Sequence, residues 1–172
     1  MAKGFFNVPI AKNEPVKSYA PGTPEKKELK EMLAYLRSTE MEIPMSIGGE
    51  KVTTEKKVRM FPPHEIEHTL GYYYQGDASH VTQAIDAALA AKEEWANMSW
   101  QHRASIFLKA ADLLAGPYRQ KLNAATMLGQ SKNAFQAEID AACELADFFR
   151  YGVKVMTDIY KIQPDSAPGM WN

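Results

Sequence analysis

The chain has 172 residues, 45% of them hydrophobic and 24% charged, with a formal net charge of -1, which is the make-up of one ordinary globular domain with material for a real core. Lys and Arg are scattered along the whole length, so there is no polyanion footprint, and neither nucleic acid nor an anionic membrane surface is expected as a partner. No apolar run approaches the ~20 residues that span a bilayer, and the single cysteine, Cys143, excludes an internal disulfide.

The opening MAKGFFNVPIAKNEPVKSY has neither the apolar core of a secretion signal nor the Arg-rich look of a transit peptide, and a cytoplasmic location follows as the default. Residues 1–22 carry three prolines and no periodicity; they read as an extended arm that must lie on something to be ordered. Thr23 suits a helix cap and Pro24 a first helical position, and Leu29, Met32, Leu33 and Leu36 share one face of a helix over 24–36. Ile43, Met45 and Ile47 alternate up to Gly48-Gly49, with Lys51 and Val52 beyond, which reads as a β-hairpin. Val58–Phe61 and Thr69–Tyr74 are rich in β-formers and predict two more strands.

Between those strands lies HEIEHTLG, His64 to Gly71, the spelling of a zinc-protease helix. Zincin chemistry needs two histidines at i and i+4 on one helical face, with a glutamate acting on metal-bound water. His64, Glu65 and His68 have that spacing. Pro62-Pro63 allow no helix before about Pro63, Gly71 ends it two turns later, and the third ligand position holds Tyr74. The expectation is a turn between strands and no metal site.

From Asp77 on the pattern is helical. Ser79 precedes a helix with Val81, Ala84, Ile85, Ala88 and Trp95 on one face. Ser99 caps a second, with Ile106, Phe107, Ala110, Leu113 and Leu114, which Gly116-Pro117 stops. A third runs from Tyr118 to Leu128 and ends at Gly129. The longest starts near Asn133 and passes Phe149, and residues 162–172 are extended.

At about 100° per residue, Phe135, Ala142, Leu145, Ala146, Phe149 and Val153 form one stripe of that last helix, with Ala137, Ala141, Phe148 and Tyr151 on the opposite side. Two apolar sides predict packing between two layers, and therefore more protein on the far side. Glu138 falls in the first stripe and Glu144 in the second, where a carboxylate is costly unless it meets a cation or a hydrogen-bonding ligand. Cys143 has no histidine or basic neighbour in sequence and reads as a packing residue.

The stretch AALAAKEEWANMSWQHRASIFLKAADLL resembles the N-terminal part of the aldehyde dehydrogenase superfamily. TMLGQSKNAFQAEIDAACELADFFRYG and the leader FNVPIAKNEPVKSYAPGTPEKKEL narrow the resemblance to its glutamate-semialdehyde (1-pyrroline-5-carboxylate) dehydrogenase branch. The resemblance implies an α/β fold, mostly helical here with a small antiparallel β region near residues 43–74. It implies that residues 23–160 are the helical/β part of an NAD-binding domain and that 161–172 begin an oligomerisation flap. The implied reaction is NAD-dependent oxidation of L-glutamate γ-semialdehyde to L-glutamate in proline catabolism, by a cysteine thiolate, hydride transfer to NAD and a glutamate-activated water.

In that family those groups, and the NAD-binding sheet, lie downstream of the residues matched here, so the chain is expected to be inactive alone and to work with the rest of an enzyme chain in a homo-oligomer. The site would be cytoplasmic, or in the mitochondrial matrix of a eukaryote. The family's glutamate matching Glu144 lines the substrate pocket, which makes Glu144 the expected ligand for the ammonium group and leaves Glu138 a structural role. Two other readings stand beside this one: a non-catalytic helical scaffold or interaction module, and the zinc hydrolase.

Overall fold

The computed structural model describes residues 7–171; the first six residues of the predicted arm and Asn172 lie outside it. Residues 7–20 run without helix or strand up to Tyr19, whose φ of 53° turns the chain. Helix α1 (Pro24–Ser38) starts on its proline, but Thr23 does not cap it. The Thr23 hydroxyl turns back instead and donates to the Ala20 carbonyl at 2.8 Å. Leu29 and Leu36, seven residues apart on one face, are buried and pack with Tyr19, Ala124 and Leu128 in the main apolar core.

Five short strands follow: β1 (Met41–Ile43), β2 (Met45–Ile47), β3 (Glu50–Val52), β4 (Lys57–Met60) and β5 (Gly71–Tyr74). The hairpin forms as the glycine pair dictates, with Ile47 opposite Glu50 across Gly48 and Gly49. Both glycines have positive φ, 60° and 87°, the geometry of a tight two-residue hairpin turn. The alternation read across Ile43 and Met45 belongs to two strands, because Pro44 lacks an N–H and ends the first ladder. β1 pairs instead with β5, parallel, with Met41 opposite Gly71, and β4 flanks β5 on the other side, antiparallel. The β region is therefore a mixed three-stranded sheet beside a two-stranded hairpin.

The helices are α2 (Ala78–Asn97), α3 (Trp100–Ala115), α4 (Arg119–Gln130), α5 (Ala134–Ala137) and α6 (Glu144–Lys161), with a π-helical segment, Glu138–Cys143, between the last two. Asp77, not Ser79, caps α2, its carboxylate accepting from the N–H groups of Ser79 and His80. No residue of α2 is buried, and its predicted apolar face is open at Val81 and Ile85, as is the neighbouring Leu89. Ser99 caps α3 as expected. In α3 the buried positions are Ala104 and Ala111, while Ile106 and Phe107 are exposed; small residues inside allow α6 to approach closely. α4 runs past Gly129, and the left-handed residue that ends it is Ser131, φ 58°. No helix among the described residues is long and apolar enough to cross a membrane.

Gly71 is the tightest point of the sheet. Its φ is +144°, and an added Cβ would stand 2.0 Å from the Met41 carbonyl oxygen, on backbone that cannot swing away. Gly49 has an equally left-handed φ of +87° but open space around it. Gly71→Ala is expected to destabilise the fold by about 3 kcal/mol or more and Gly49→Ala by only about 1 kcal/mol. Denaturant midpoints measured on the two variants check the difference, and similar midpoints would contradict the close approach.

Candidate functional site

A charged cluster sits where the N-terminal arm crosses α4 and the π segment. Arg119, at the start of α4, is 1% exposed and Glu138, the first residue of the π segment, is 0% exposed. The Arg119 guanidinium donates to both Glu138 carboxylate oxygens from Nε at 3.2 Å and again from Nη2. It also donates to Glu14 at 2.6 Å and to the Pro15 carbonyl at 2.8 Å. Glu138 accepts further from the Lys17 N–H at 2.8 Å, the Tyr19 hydroxyl at 2.7 Å and Asn123 Nδ2 at 2.7 Å. Glu14 meets a second cation, Arg150, at 2.8 Å, and Asp147 accepts from the Glu14 N–H and from Asn13. This is what the arm lies on.

Burial by itself raises the Glu138 carboxyl, but hydrogen bonds from Arg119, Tyr19, the Lys17 N–H and Asn123 outweigh it and bring the group down to about 2. Burial, and then the hydrogen bond to Glu138, push the Tyr19 hydroxyl up to about 12. For Glu14, burial works upward, and the hydrogen bonds from Arg150 and Arg119 overcome it and lower the carboxyl. A buried pair of this kind adds little net stability over an apolar one, but removing one partner strands a charge at a cost of about 3–5 kcal/mol.

Cys143 is the last residue of the π segment and is buried. In space it does have a basic neighbour, Arg119 Nη2 at 3.5 Å, which its surroundings in sequence do not reveal. Burial and the charge of Glu138 still raise the thiol to about 11, so it is a protonated packing residue and no nucleophile at neutral pH.

The structure separates the two glutamates that the helix pattern had put on opposite stripes. Glu138 is wholly buried and structural. Glu144 is exposed, not buried in a stripe, and its side chain makes no hydrogen bond or ion pair among the described residues. It heads a row on α6 at Glu144, Phe148, Tyr151, Val155 and Ile159, and the four apolar members are exposed, Phe148 to 71%. Ala146, Val153 and Thr157 are buried on the other side, and Phe149 lies 5.6 Å from Phe107 of α3 between ring centroids. Two members of the predicted stripes change sides: Phe135 is exposed and Ala137 is buried. The π turn is the cause, because its extra residue shifts the phase of everything before it relative to α6.

The zinc spelling folds as turns, with Glu65 N–H bonded to the Pro62 carbonyl and His68 N–H to that of Glu65. Two of its three groups are engaged elsewhere, while His68 Nε2 is buried without a hydrogen-bond partner among the described residues. Glu65 forms a two-point pair with Arg37 at 2.7 and 3.1 Å, and His64 Nδ1 is 2.7 Å from Ser131 Oγ. No group of three His, Cys, Asp or Glu among the described residues has the arrangement of a metal site. The zinc-hydrolase reading is not favoured, because the segment forms turns in place of the helix it needs.

Arg119, the centre of the cluster, carries no signal in the sequence. Its partners stand 19 and 105 residues away, and nothing local distinguishes it from the other arginines.

Because the Glu138 carboxyl sits near 2 in the fold against an ordinary 4.5, its stabilisation is complete above 4.5 and is lost as pH falls from there towards 2. Glu138→Gln is expected to lower stability at neutral pH and to flatten the acid limb of the stability profile in that window. Urea unfolding at a series of pH values measures this. A variant whose acid limb keeps the slope of the parent would show that other carboxylates carry the acid lability.

The sequence pattern of the aldehyde dehydrogenase family matches residues 51–171. A protein of Agaricus bisporus named delta-1-pyrroline-5-carboxylate dehydrogenase is 49% identical over 169 residues, which are 97% of this chain and 31% of that protein. The mitochondrial delta-1-pyrroline-5-carboxylate dehydrogenase of Homo sapiens is 42% identical over 160 residues, 93% of this chain and 28% of that protein. The crystal structure of the delta-pyrroline-5-carboxylate dehydrogenase of Mycobacterium tuberculosis bound with NAD superposes with a TM-score of 0.96 at 43% identity, over 99% of this chain and 32% of the other. The chain thus spans about a third of the length of the relatives it matches. Helices, mixed sheet and N-terminal arm are those of the N-terminal part of that fold, and the chain belongs to the aldehyde dehydrogenase family.

Proposed function

We propose that these residues form the N-terminal part of an NAD-dependent 1-pyrroline-5-carboxylate dehydrogenase, oxidising L-glutamate γ-semialdehyde to L-glutamate. The observation that carries the reading is the 49% identity over 97% of the chain to a relative of that name. Glu144 supplies one wall of the substrate pocket. Its carboxylate is exposed with no partner in the described residues, beside Phe148 and Tyr151, and a carboxylate on an apolar row suits an ammonium group that must be held among apolar surfaces.

The aldehyde chemistry is left to other segments of the enzyme, since Cys143 is buried and protonated. NAD does not fit the one strand-to-helix junction available among the described residues, from β5 to α2. There the α2 N-terminus, where a pyrophosphate would bind, is already capped by the Asp77 carboxylate, which its hydrogen bonds from Ser79 and His80 hold well below the usual range. NAD supplies the hydride acceptor when bound, and the residues here contribute the scaffold around it. The exposed faces of α2 and α6, with Trp171 wholly exposed at the extended end of the chain, support docking against the remainder of the enzyme and against further copies in an oligomer. The compartment would be the cytoplasm, or the mitochondrial matrix in a eukaryote.

In the enzyme that contains these residues, Glu144→Ala is expected to weaken use of glutamate semialdehyde by roughly tenfold or more, the scale of a lost charged hydrogen bond, and to weaken use of propanal less. Steady-state kinetics on both aldehydes decide it. Equal losses on the two would remove Glu144 from the amino-acid end of the pocket.

A further inference from the structure

The π segment ends at the residue before Glu144. A π turn is a rare, strained insertion in a helix and persists only where surrounding contacts hold it. Here both of its ends are held by one group. Arg119 binds the carboxylate of Glu138, its first residue, and the same guanidinium lies 3.5 Å from the sulfur of Cys143, its last. Glu138 Oε1 and Cys143 Sγ are 3.8 Å apart. Five residues along an α-helix are about 140° apart, so these side chains would point to different sides of a regular helix. The π register brings them together under the guanidinium, and Pro15 of the arm closes over the sulfur at 3.9 Å.

The extra residue sets the phase of α6. Without it the helix beyond would turn by about 100° and slide by about 1.5 Å, and the whole row of Glu144, Phe148 and Tyr151, which lies in α6, would swing away from the side it now faces. We propose that Arg119 and Glu138 are positioning residues for Glu144: their buried pair holds the π turn, and the π turn aims the Glu144 carboxylate into the substrate pocket. Tyr19, Asn123 and the Lys17 N–H serve the same end by occupying the remaining Glu138 lone pairs. The proposal rests on the reading of Glu144 as the ligand of the substrate ammonium. It adds that specificity for the amino-acid substrate depends on a cluster which touches no substrate atom.

The test uses Arg119→Lys, Glu138→Gln and Glu144→Ala in the whole enzyme, together with the double variant Glu138→Gln/Glu144→Ala, with kcat and KM for glutamate semialdehyde and for propanal. A lysine keeps the charge but cannot grip both ends of the turn. Arg119→Lys and Glu138→Gln are expected to raise KM for glutamate semialdehyde by roughly tenfold relative to propanal, the scale of one weakened hydrogen bond to a charged group, with the ratio of the two kcat values little changed. The double variant should discriminate no worse than Glu144→Ala alone. Should Glu138→Gln fail to fold, Tyr19→Phe removes one donor to Glu138 and keeps the ring; it is expected to give a smaller loss in the same direction.

Selective loss in Glu144→Ala with none in the folded cluster variants, or losses that multiply in the double variant, would overturn the positioning role while leaving Glu144 as the ligand. Equal losses on both aldehydes in Glu144→Ala would overturn the reading of Glu144 and the proposal with it.

Discussion

A carboxylate with no exposure at all is tolerated only if every lone pair is met, and Glu138 meets its own from four directions at once. The donors come from the arm, through Lys17 and Tyr19, and from α4, through Arg119 and Asn123, while the carboxylate belongs to the π segment, so the position of each element is tied to the same two oxygen atoms. The arm has no secondary structure to hold it and depends on this polar seam for its order. α4 is pinned at its first residue, and the helix that follows inherits its phase from the π turn the carboxylate stabilises. The apolar core around Leu29, Leu36 and Leu128 supplies the bulk of the burial energy, but it is permissive about rotation and register. The ionic seam is not, because directional hydrogen bonds fail over a few tenths of an ångström where apolar contacts merely loosen.

The molecule therefore has one finished side and one unfinished side. α3 and α6 bury small residues against each other, and α1 and α4 bury larger ones. The outward row of α6 and the outer face of α2 leave branched and aromatic residues such as Val81, Ile85, Phe148 and Ile159 exposed. On the proposed function these faces would dock against the remainder of the enzyme, and Glu144 stands at the head of one of them. A carboxylate there is open because no described residue competes for it, in contrast to Glu138, six residues earlier, to which four residues donate.

Much was legible in the order of residues. The glycine pair Gly48-Gly49 specifies its turn because few other residues accept two successive positive φ values. Pro62-Pro63 keep any helix from extending upstream of about Pro63, through a lost N–H and a steric clash. The Pro24 and Ser99 starts hold, as does the start of the last helix at Asn133, which caps α5. These are local effects, acting within a few residues, which is why a sequence reveals them. The cap of α2 at Asp77 and the end of α4 at Ser131 were misplaced by a residue or two, since several neighbouring side chains suit either role and tertiary contacts choose among them.

By itself the sequence determined the helical and strand segments, the hairpin turn, the failure of HEIEHTLG as a metal helix, and the resemblance that names the family. Only the tertiary structure decided that β1 pairs in parallel with β5, that Arg119 is the buried partner of Glu138 and Glu14, and that Cys143 sits beside a cation yet stays protonated. It alone decided which glutamate is buried. A constant 100° step per residue cannot foresee an inserted residue, and the insertion is held by contacts with an arm more than a hundred residues distant. Local sequence encodes local geometry; the choice of phase for α6, and so the direction in which Glu144 points, is encoded in which distant groups meet one buried carboxylate.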